Sequence, residues 1–177
     1  MGNTLVENKV NKDYDFLEEF VFRSFQPGDI GWVIHRHGVL YAREYGWNVH
    51  FEALVAQIAA DFINNYNPER DKCIIVEKNG EIVGSAFIVG ESDEVARLRL
   101  LLLEPKVRGI GLGTYLVQEC ISFAKSVGYK KLVLWTQNIL EAARHIYKKA
   151  GFKKVAEEPH NKFGTELIGE TWELNLL

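Results

Sequence analysis

The sequence has little of what marks several special classes of protein. Two cysteines in 177 residues, Cys73 and Cys120, are too few for a disulfide framework, and both lie in apolar runs, which favours buried, reduced thiols. Neither charge dominates: 21 Lys and Arg face 24 Asp and Glu, a net charge of −3 that argues against a nucleic-acid partner. No apolar run approaches the roughly 20 residues of a membrane-spanning helix, and the polar start of the chain lacks the apolar segment of a signal peptide. We therefore expect a cytoplasmic protein with no membrane partner.

The domain organisation follows from length and composition. A chain of 177 residues with 47% apolar and 25% charged residues is typical of one soluble globular domain. Residues 1–15 are polar and carry no periodic pattern, so we predict an N-terminal arm there. No linker rich in Gly, Pro or Ser and no internal repeat divides the remainder, which predicts a single domain over residues 16–177.

The periodicity of apolar residues predicts an α/β fold. Spacings of three and four between Leu54 and Phe62 indicate a helix, and Asn79-Gly80 between two apolar runs indicates a hairpin. The predicted strands cover 21–25, 73–77, 82–89, 96–104, 132–135, 154–158 and 167–176, and the predicted helices cover 29–45, 51–65, 111–127 and 140–150. The resulting order, β-α-α-β-β-β-α-β-α-β-β, is typical of helices packed around a mixed sheet.

The segment 103–114 is the most informative stretch for function. It reads as a strand end, a glycine-rich turn and a helix start, and such a turn presents unpaired backbone N–H groups to an anion. Two common phosphate motifs do not match, because Gly113-Thr114 lacks the lysine of a P-loop and Thr114 replaces the third glycine of a dinucleotide fingerprint. A tight turn without a ligand remains an alternative.

Two motifs together resemble the signatures of the GNAT N-acetyltransferase superfamily. The first is Arg108-x-x-Gly111-x-Gly113 after a strand that ends in Leu-Leu-Glu-Pro, and the second is the segment 143–152, in which Tyr147 lies four residues before Gly151-Phe152. The resemblance covers about residues 20–177. It implies a single GNAT-like domain with a mixed, mostly antiparallel central sheet flanked by helices. It also implies direct transfer of an acetyl group from acetyl-CoA, as cosubstrate, to a primary amine.

A finer likeness concerns the segments upstream. Arg36-His37-Gly38, Glu44-Tyr45-Gly46 and Phe51-Glu52-Ala53-Leu54 resemble the acetyltransferase half of fusions between a MarR-type DNA-binding domain and a GNAT domain. This likeness leaves open an alternative function, a non-catalytic module that senses acetyl-CoA or CoA and acts with a transcriptional regulator.

The resemblance assigns residues to the cofactor and to the chemistry. Tyr147 is the expected general acid for the leaving thiolate, and a backbone amide near Leu102 or Leu103 is expected to hold the oxyanion. Where many family members have an asparagine for the pantetheine arm this chain has Leu140, so nearby Asn138 is the candidate for that contact. The pyrophosphate is expected on Arg108, Gly109, Ile110, Gly111, Leu112, Gly113 and Thr114.

The general base and the acceptor are less defined. Glu104 at the strand end is a candidate base acting through a water, while Glu44 and Tyr45 are expected to border the acceptor pocket and are alternative bases. His35 and His37 are expected to be structural, and no Cys/His spacing indicates a metal. The acceptor is a small-molecule amine or a protein amine, and a homodimer is expected only by analogy with the family.

Overall fold

The computed structural model describes residues 12–177, with side chains described from residue 15 onward. Most of the predicted N-terminal arm, residues 1–11, therefore lies outside the described residues. Lys12–Glu19, which overlaps the end of the predicted arm, forms a short 3-10 helix, and its Phe16 and Leu17 pack against the main core.

The remaining elements follow the predicted order. They are β1 (Val21–Arg23), α1 (Asp29–Tyr45), α2 (Val49–Asn65), β2 (Lys72–Lys78), β3 (Glu81–Gly90), β4 (Val95–Leu103), α3 (Leu112–Ser126), β5 (Lys131–Gln137), α4 (Glu141–Lys149), β6 (Lys153–His160) and β7 (Leu167–Asn175). The α/β fold class and the mixed, mostly antiparallel sheet are confirmed. None of the helices within residues 12–177 has the length and apolar character required to traverse a bilayer.

Local sequence explains several element boundaries. Asn79 and Gly80 have positive φ angles of 52° and 78°, as a tight two-residue hairpin turn requires. The turn joins β2 to β3 and places Lys78 opposite Glu81. Helix α2 begins after Asn48, whose side chain accepts a hydrogen bond from the His50 amide.

The sheet contains one change of strand direction that matters for the site. The strand order is β1-β2-β3-β4-β5-β7-β6, and β4 with β5 is its parallel pair among the described strands. That pairing covers only Val95–Arg97 against Lys131–Val133, so the later parts of β4 and β5 are not paired with each other. The sheet is therefore open between these two strands toward their carboxyl ends.

A bulge in β4 accompanies this opening. Leu100 has a positive φ of 51°, an uncommon conformation for a leucine, and the β3–β4 register shifts between Ser85 and Phe87. The Ser85 hydroxyl donates to the Leu100 carbonyl over 2.8 Å and so holds the bulge against β3.

The apolar core lies on both faces of the sheet. The larger cluster packs α3 and α4 on one face, with Leu112, Leu116 and Cys120 among its buried members. A second cluster packs α1 and α2 on the other face around Val33 and Phe62. Cys73 and Cys120 are buried free thiols, and burial raises the pKa of Cys120 to about 12.

Candidate active site

A wide groove runs past the carboxyl end of β4, between the end of α1, the glycine-rich turn and the start of α4. Its volume is about 480 Å³. Seven of the residues predicted for cofactor or catalysis at the end of β4 and in the turn are found on its wall: Leu102, Leu103, Arg108, Gly109, Gly111, Gly113 and Thr114. The groove is therefore bordered by most of the segment that the first motif singled out.

The turn before α3 has the backbone geometry that an anion site requires. Gly111 is the N-cap residue of α3 with a left-handed φ of 97°, and no side chain caps the helix there. The first amides of the helix are thus directed outward without a side-chain acceptor. At Gly113 a Cβ would come within 3.0 Å of Ile146 Cδ1 on α4, so the close approach of α3 to α4 requires a glycine.

Arg108 is engaged on both sides of the groove. Its Nε donates to the Leu103 carbonyl over 2.9 Å, and its two terminal nitrogens contact the Glu44 carboxylate at 2.9 Å each. The predicted pyrophosphate ligand is consequently ion-paired with one of the predicted acceptor residues.

A second, smaller cavity of about 120 Å³ lies on the α1 and α2 side of the open sheet. Six aromatic side chains contribute to its wall: Tyr41, Trp47, Phe51, Trp135, Tyr147 and Phe163. Tyr41, Leu101, Leu140 and Ala143 line both this cavity and the wide groove, so the two spaces adjoin at the opening between β4 and β5. We call this second space the inner cavity.

Tyr147 is at the inner cavity rather than on the wall of the wide groove. It is the buried residue of α4, and only 7% of it is exposed. Burial raises the pKa of the Tyr147 hydroxyl well above its ordinary value of 10.0, so the group keeps its proton at neutral pH.

Glu104 lines neither space. Its carboxylate is held by Arg36 of α1, whose Nε donates to one oxygen and whose Nη2 donates to the other over 2.9 Å. The hydrogen bond to Glu104 raises the pKa of Arg36, as expected for a charged pair. Both carboxylate oxygens of Glu104 are thus bonded to Arg36, and the side chain lines neither the groove nor the inner cavity, so the arrangement does not match the expected general base.

Five other predicted residues differ from expectation. Asn138 does not line the groove, because its side-chain oxygen accepts a hydrogen bond from the Ile168 amide on β7 over 3.0 Å. Leu112 is fully buried in the core, and the side chain of Ile110 is 45% exposed outside the groove wall. Glu44 and Tyr45 line the wide groove, not the inner cavity.

Three residues of the inner cavity were missed as functional candidates. His37 was taken as structural, yet it lines the cavity; its Nδ1 lies 2.7 Å from the Val33 carbonyl, and burial lowers its pKa to about 4. Arg97 and Arg99 interrupt the otherwise apolar sequence of β4, and these charges were the signal that could have identified Arg99. Trp47, in the connection between α1 and α2, belongs to no motif that predicts a functional role. Across residues 12–177, no three His, Cys, Asp or Glu residues gather as a metal-ligand cluster.

Comparison with known proteins agrees with this architecture. Residues 35–152 match the model of the acetyltransferase (GNAT) family. An uncharacterized N-acetyltransferase of Schizosaccharomyces pombe is 27% identical over 123 residues, covering 68% of this chain and 75% of the yeast protein. Human N-acetyltransferase 8B is 27% identical over 117 residues, covering 63% of this chain and 52% of the human protein, so the chain spans about half of that relative.

Solved structures share the fold. The acetyl-CoA complex of yncA from Salmonella typhimurium has a TM-score of 0.70 at 21% identity and covers 90% of this chain and 95% of its own. Ard1 from Thermoplasma volcanium has a TM-score of 0.69 at 23% identity, and the match covers 90% of this chain and 99% of Ard1. Since the family model spans more than half of the sequence and the strand order places the glycine turn beside the open sheet, the chain belongs to the acetyltransferase (GNAT) family.

Proposed function

We propose that this protein is an N-acetyltransferase that transfers an acetyl group directly from acetyl-CoA to a primary amine. The observation that carries the proposal is the meeting of the wide groove and the inner cavity at the opening between β4 and β5, with Tyr147 on the wall of the inner cavity. Two substrates that enter from opposite faces of a sheet can react only where such an opening connects them.

The wide groove suits acetyl-CoA, which supplies the acetyl group as a thioester. The uncapped amides after Gly111 and the guanidinium of Arg108 provide the donors and charge for a pyrophosphate. A Cβ at Gly109 would have no neighbour within 4 Å, so the backbone of the turn is open to close approach at that position. The acetyl-CoA present in the related yncA structure supports acetyl-CoA as the cosubstrate.

The edge of β4 offers donors for the carbonyl oxygen of the thioester. The Glu104 amide donates to the Val83 carbonyl on β3 over 2.8 Å. Because successive amides of a strand point to opposite edges, the amides of Leu103 and Leu101 are directed toward the opening. We assign the oxyanion contact to that edge, with Leu103 rather than Leu102 as the donor among the two predicted residues.

Tyr147 is assigned as the general acid. Its raised pKa keeps the hydroxyl protonated, and a protonated hydroxyl can donate to the departing thiolate. No carboxylate lines the inner cavity within the described residues. His37 is neutral there, and with its Nδ1 proton donated to Val33 its Nε2 can accept a hydrogen bond from the amine.

The finer expectations remain predictions. A likeness to MarR fusions is supported by the sequence segments alone, and the sensing module gains no support, because the relatives reported above are named N-acetyltransferases. A homodimer through the last strands is compatible with β6, an edge strand with nearly all of its residues exposed.

Thermal unfolding with acetyl-CoA, CoA, ATP and NAD, each in excess, tests the cofactor assignment. A ligand at 100 times its dissociation constant stabilises the fold by about 2.7 kcal/mol, which gives a clear rise in Tm. We expect this rise with acetyl-CoA and CoA alone. Absence of a shift with both would contradict the proposal.

A matched pair of glycine variants locates the binding site. Gly111→Asp adds a negative charge where the pyrophosphate is assigned, so the Tm rise with CoA should disappear. Gly28→Asp is the control, because Gly28 is the N-cap of α1 with a similar φ of 100° and no neighbour within 4 Å. Both variants carry the same backbone strain, and only Gly28→Asp should retain CoA binding. If both variants kept the Tm rise with CoA equally, CoA would bind elsewhere on the protein.

A further inference from the structure

The inner cavity contains an arginine without a local counterion. Arg99 is half-buried on β4, faces the same side of the sheet as its cross-strand partner Phe87, and lines the cavity. Within the described part of the chain its guanidinium makes no hydrogen bond or ion pair within contact distance. The carboxylates of Glu91 and Asp61 act on it only from farther away.

The environment disfavours this charge. Burial lowers the pKa of Arg99 from its ordinary value of 12.5, and repulsion from Arg97 adds to the effect. An arginine nevertheless remains charged in a protein. A half-buried guanidinium that has lost part of its hydration is stabilised by an anion from outside, and a carboxylate matches its planar pairs of donors.

A second donor in the same cavity also lacks an acceptor. Trp47 lines the cavity and is 3% exposed, and its indole Nε1 is buried without a hydrogen-bond partner among residues 12–177. An indole N–H can only donate, so it too is complemented by an oxygen acceptor. Two unsatisfied donors and no lining carboxylate give the inner cavity a preference for an anionic group.

The remaining wall favours an apolar body and an amine. The faces of Tyr41, Phe51, Trp135 and Phe163 provide an apolar surface that also attracts a cationic amine. Arg99 lies two residues before Leu101, about 6 to 7 Å along the strand from the junction with the wide groove. One small molecule can therefore reach both the guanidinium and the junction.

We propose that the acceptor is a free amino acid, whose carboxylate pairs with Arg99 while its amine points to the junction beside Tyr147. This assignment rests on the proposed N-acetyltransferase function and defines its substrate class. In the transfer, the neutral amine nitrogen forms a bond to the acetyl carbon and the carbon–sulfur bond breaks. The nitrogen loses one proton to solvent, the thiolate receives one proton from the Tyr147 hydroxyl, and the phenolate takes up one proton from solvent, which restores Tyr147. The products are an N-acetyl amino acid and CoA, and the carboxylate is unchanged.

The test compares amino acids with the amines that differ from them only by loss of the carboxylate. The pairs are L-alanine with ethylamine, L-leucine with 3-methylbutylamine, and L-phenylalanine with 2-phenylethylamine. For at least one pair, kcat/KM of the wild-type protein should be higher for the amino acid by roughly 10- to 100-fold, the range expected for hydrogen bonds to a charged group. In Arg99→Gln this ratio should fall to about 1.

Arg97→Gln is the matched control. Arg97 lies two residues earlier on β4, pairs with Glu91 and does not line the cavity, so its variant removes the same charge without touching the proposed contact. It should preserve the ratio. Arg99→Gln should also keep the wild-type Tm, because the guanidinium that it removes makes no hydrogen bond or ion pair with the described residues. The substrate class is overturned if Arg99→Gln keeps the wild-type ratio of kcat/KM between amino acid and amine, or if the wild-type protein prefers the amines. Either result leaves the acetyltransferase function intact.

A binding measurement separates the two proposals when no transfer occurs. L-alanine, L-leucine or L-phenylalanine should raise the Tm of the CoA-loaded wild-type protein and not that of Arg99→Gln. Such binding without transfer would contradict the acetyltransferase function and keep the amino-acid site. Absence of both transfer and binding for all three amino acids would overturn the amino-acid site.

Discussion

Arg108 and Glu44 form a paired ion contact across the wide groove, with both terminal nitrogens of Arg108 at 2.9 Å from the carboxylate. The contact joins the turn before α3 to the last residues of α1, which lie 64 positions apart in the chain. Both side chains line the groove assigned to acetyl-CoA. The pyrophosphate and Glu44 therefore compete for the same guanidinium.

This competition predicts that Glu44→Gln strengthens CoA binding. The variant frees Arg108 and removes a negative charge that repels the phosphates. Since partly exposed ion pairs contribute up to about 1 kcal/mol, Kd for CoA should fall by up to about fivefold. Isothermal titration calorimetry at two salt concentrations measures Kd for CoA, and the increase in CoA affinity should be smaller at high salt. Glu94→Gln removes an equal charge at the other end of β4 and should leave Kd unchanged. Weaker CoA binding in Glu44→Gln would contradict the competition.

Replacing Tyr147 with phenylalanine tests the general acid. The hydroxyl is the group that we expect to protonate the thiolate, so turnover should fall at least about tenfold, in the range of general acid catalysis. KM for acetyl-CoA should change little, because the ring lines the inner cavity and not the wide groove. Tyr129→Phe is the control, since its hydroxyl donates to the Arg70 carbonyl outside both spaces. Equal turnover in Tyr147→Phe and wild type would reject the acid role.

The Arg36–Glu104 pair predicts a structural effect for Glu104→Gln. Loss of two charge-assisted hydrogen bonds at a largely buried carboxylate should lower the free energy of unfolding by about 2 kcal/mol. The pH profile of the rate should keep its shape. Glu81→Gln, which breaks an exposed pair with Lys106, should change stability far less. A flattened alkaline limb in Glu104→Gln alone would restore Glu104 as the general base.

The buried His37 makes stability depend on pH. The pKa of His37 in the folded protein is about 4, below its ordinary value of 6.5. Between pH 4 and pH 6.5 the imidazole is therefore protonated in the unfolded chain and neutral in the folded protein. The free energy of unfolding therefore has its full value above pH 6.5 and decreases by on the order of 3 kcal/mol as the pH falls toward 4. His37→Asn, which can retain a donor to Val33, should show a shallower decline in unfolding free energy. The exposed His35→Asn should follow the wild-type curve, and an equally steep decline in His37→Asn would contradict the assignment.

Much of the fold was accessible from local sequence. The hairpin at Asn79-Gly80 and the helix containing Leu54 and Phe62 each depend on a few neighbouring residues, and both form where the pattern predicts them. The glycine turn likewise carries its own geometry, because the left-handed conformation of Gly111 is a property of that one position.

The candidate site was only partly accessible. Asn138 and Glu104 are near the expected positions in sequence, but Ile168 and Arg36 occupy their polar groups from 30 and 68 residues away. No local rule describes such partners. Arg99 could be noticed as a charge within an apolar strand, whereas its lack of a partner became evident only once α2 and β3 were packed around it.

The sequence by itself determined the order of the elements, the hairpin and the glycine-rich turn, because these depend on short-range periodicity and on backbone preferences of single residues. Only the tertiary structure decided which side chains meet. The short β4–β5 pairing opens the sheet, and the helices from the first third of the chain bring Trp47 and His37 to the strand that carries Arg99. A cavity is the space left between packed elements, so its lining depends on contacts between residues that are distant in the chain.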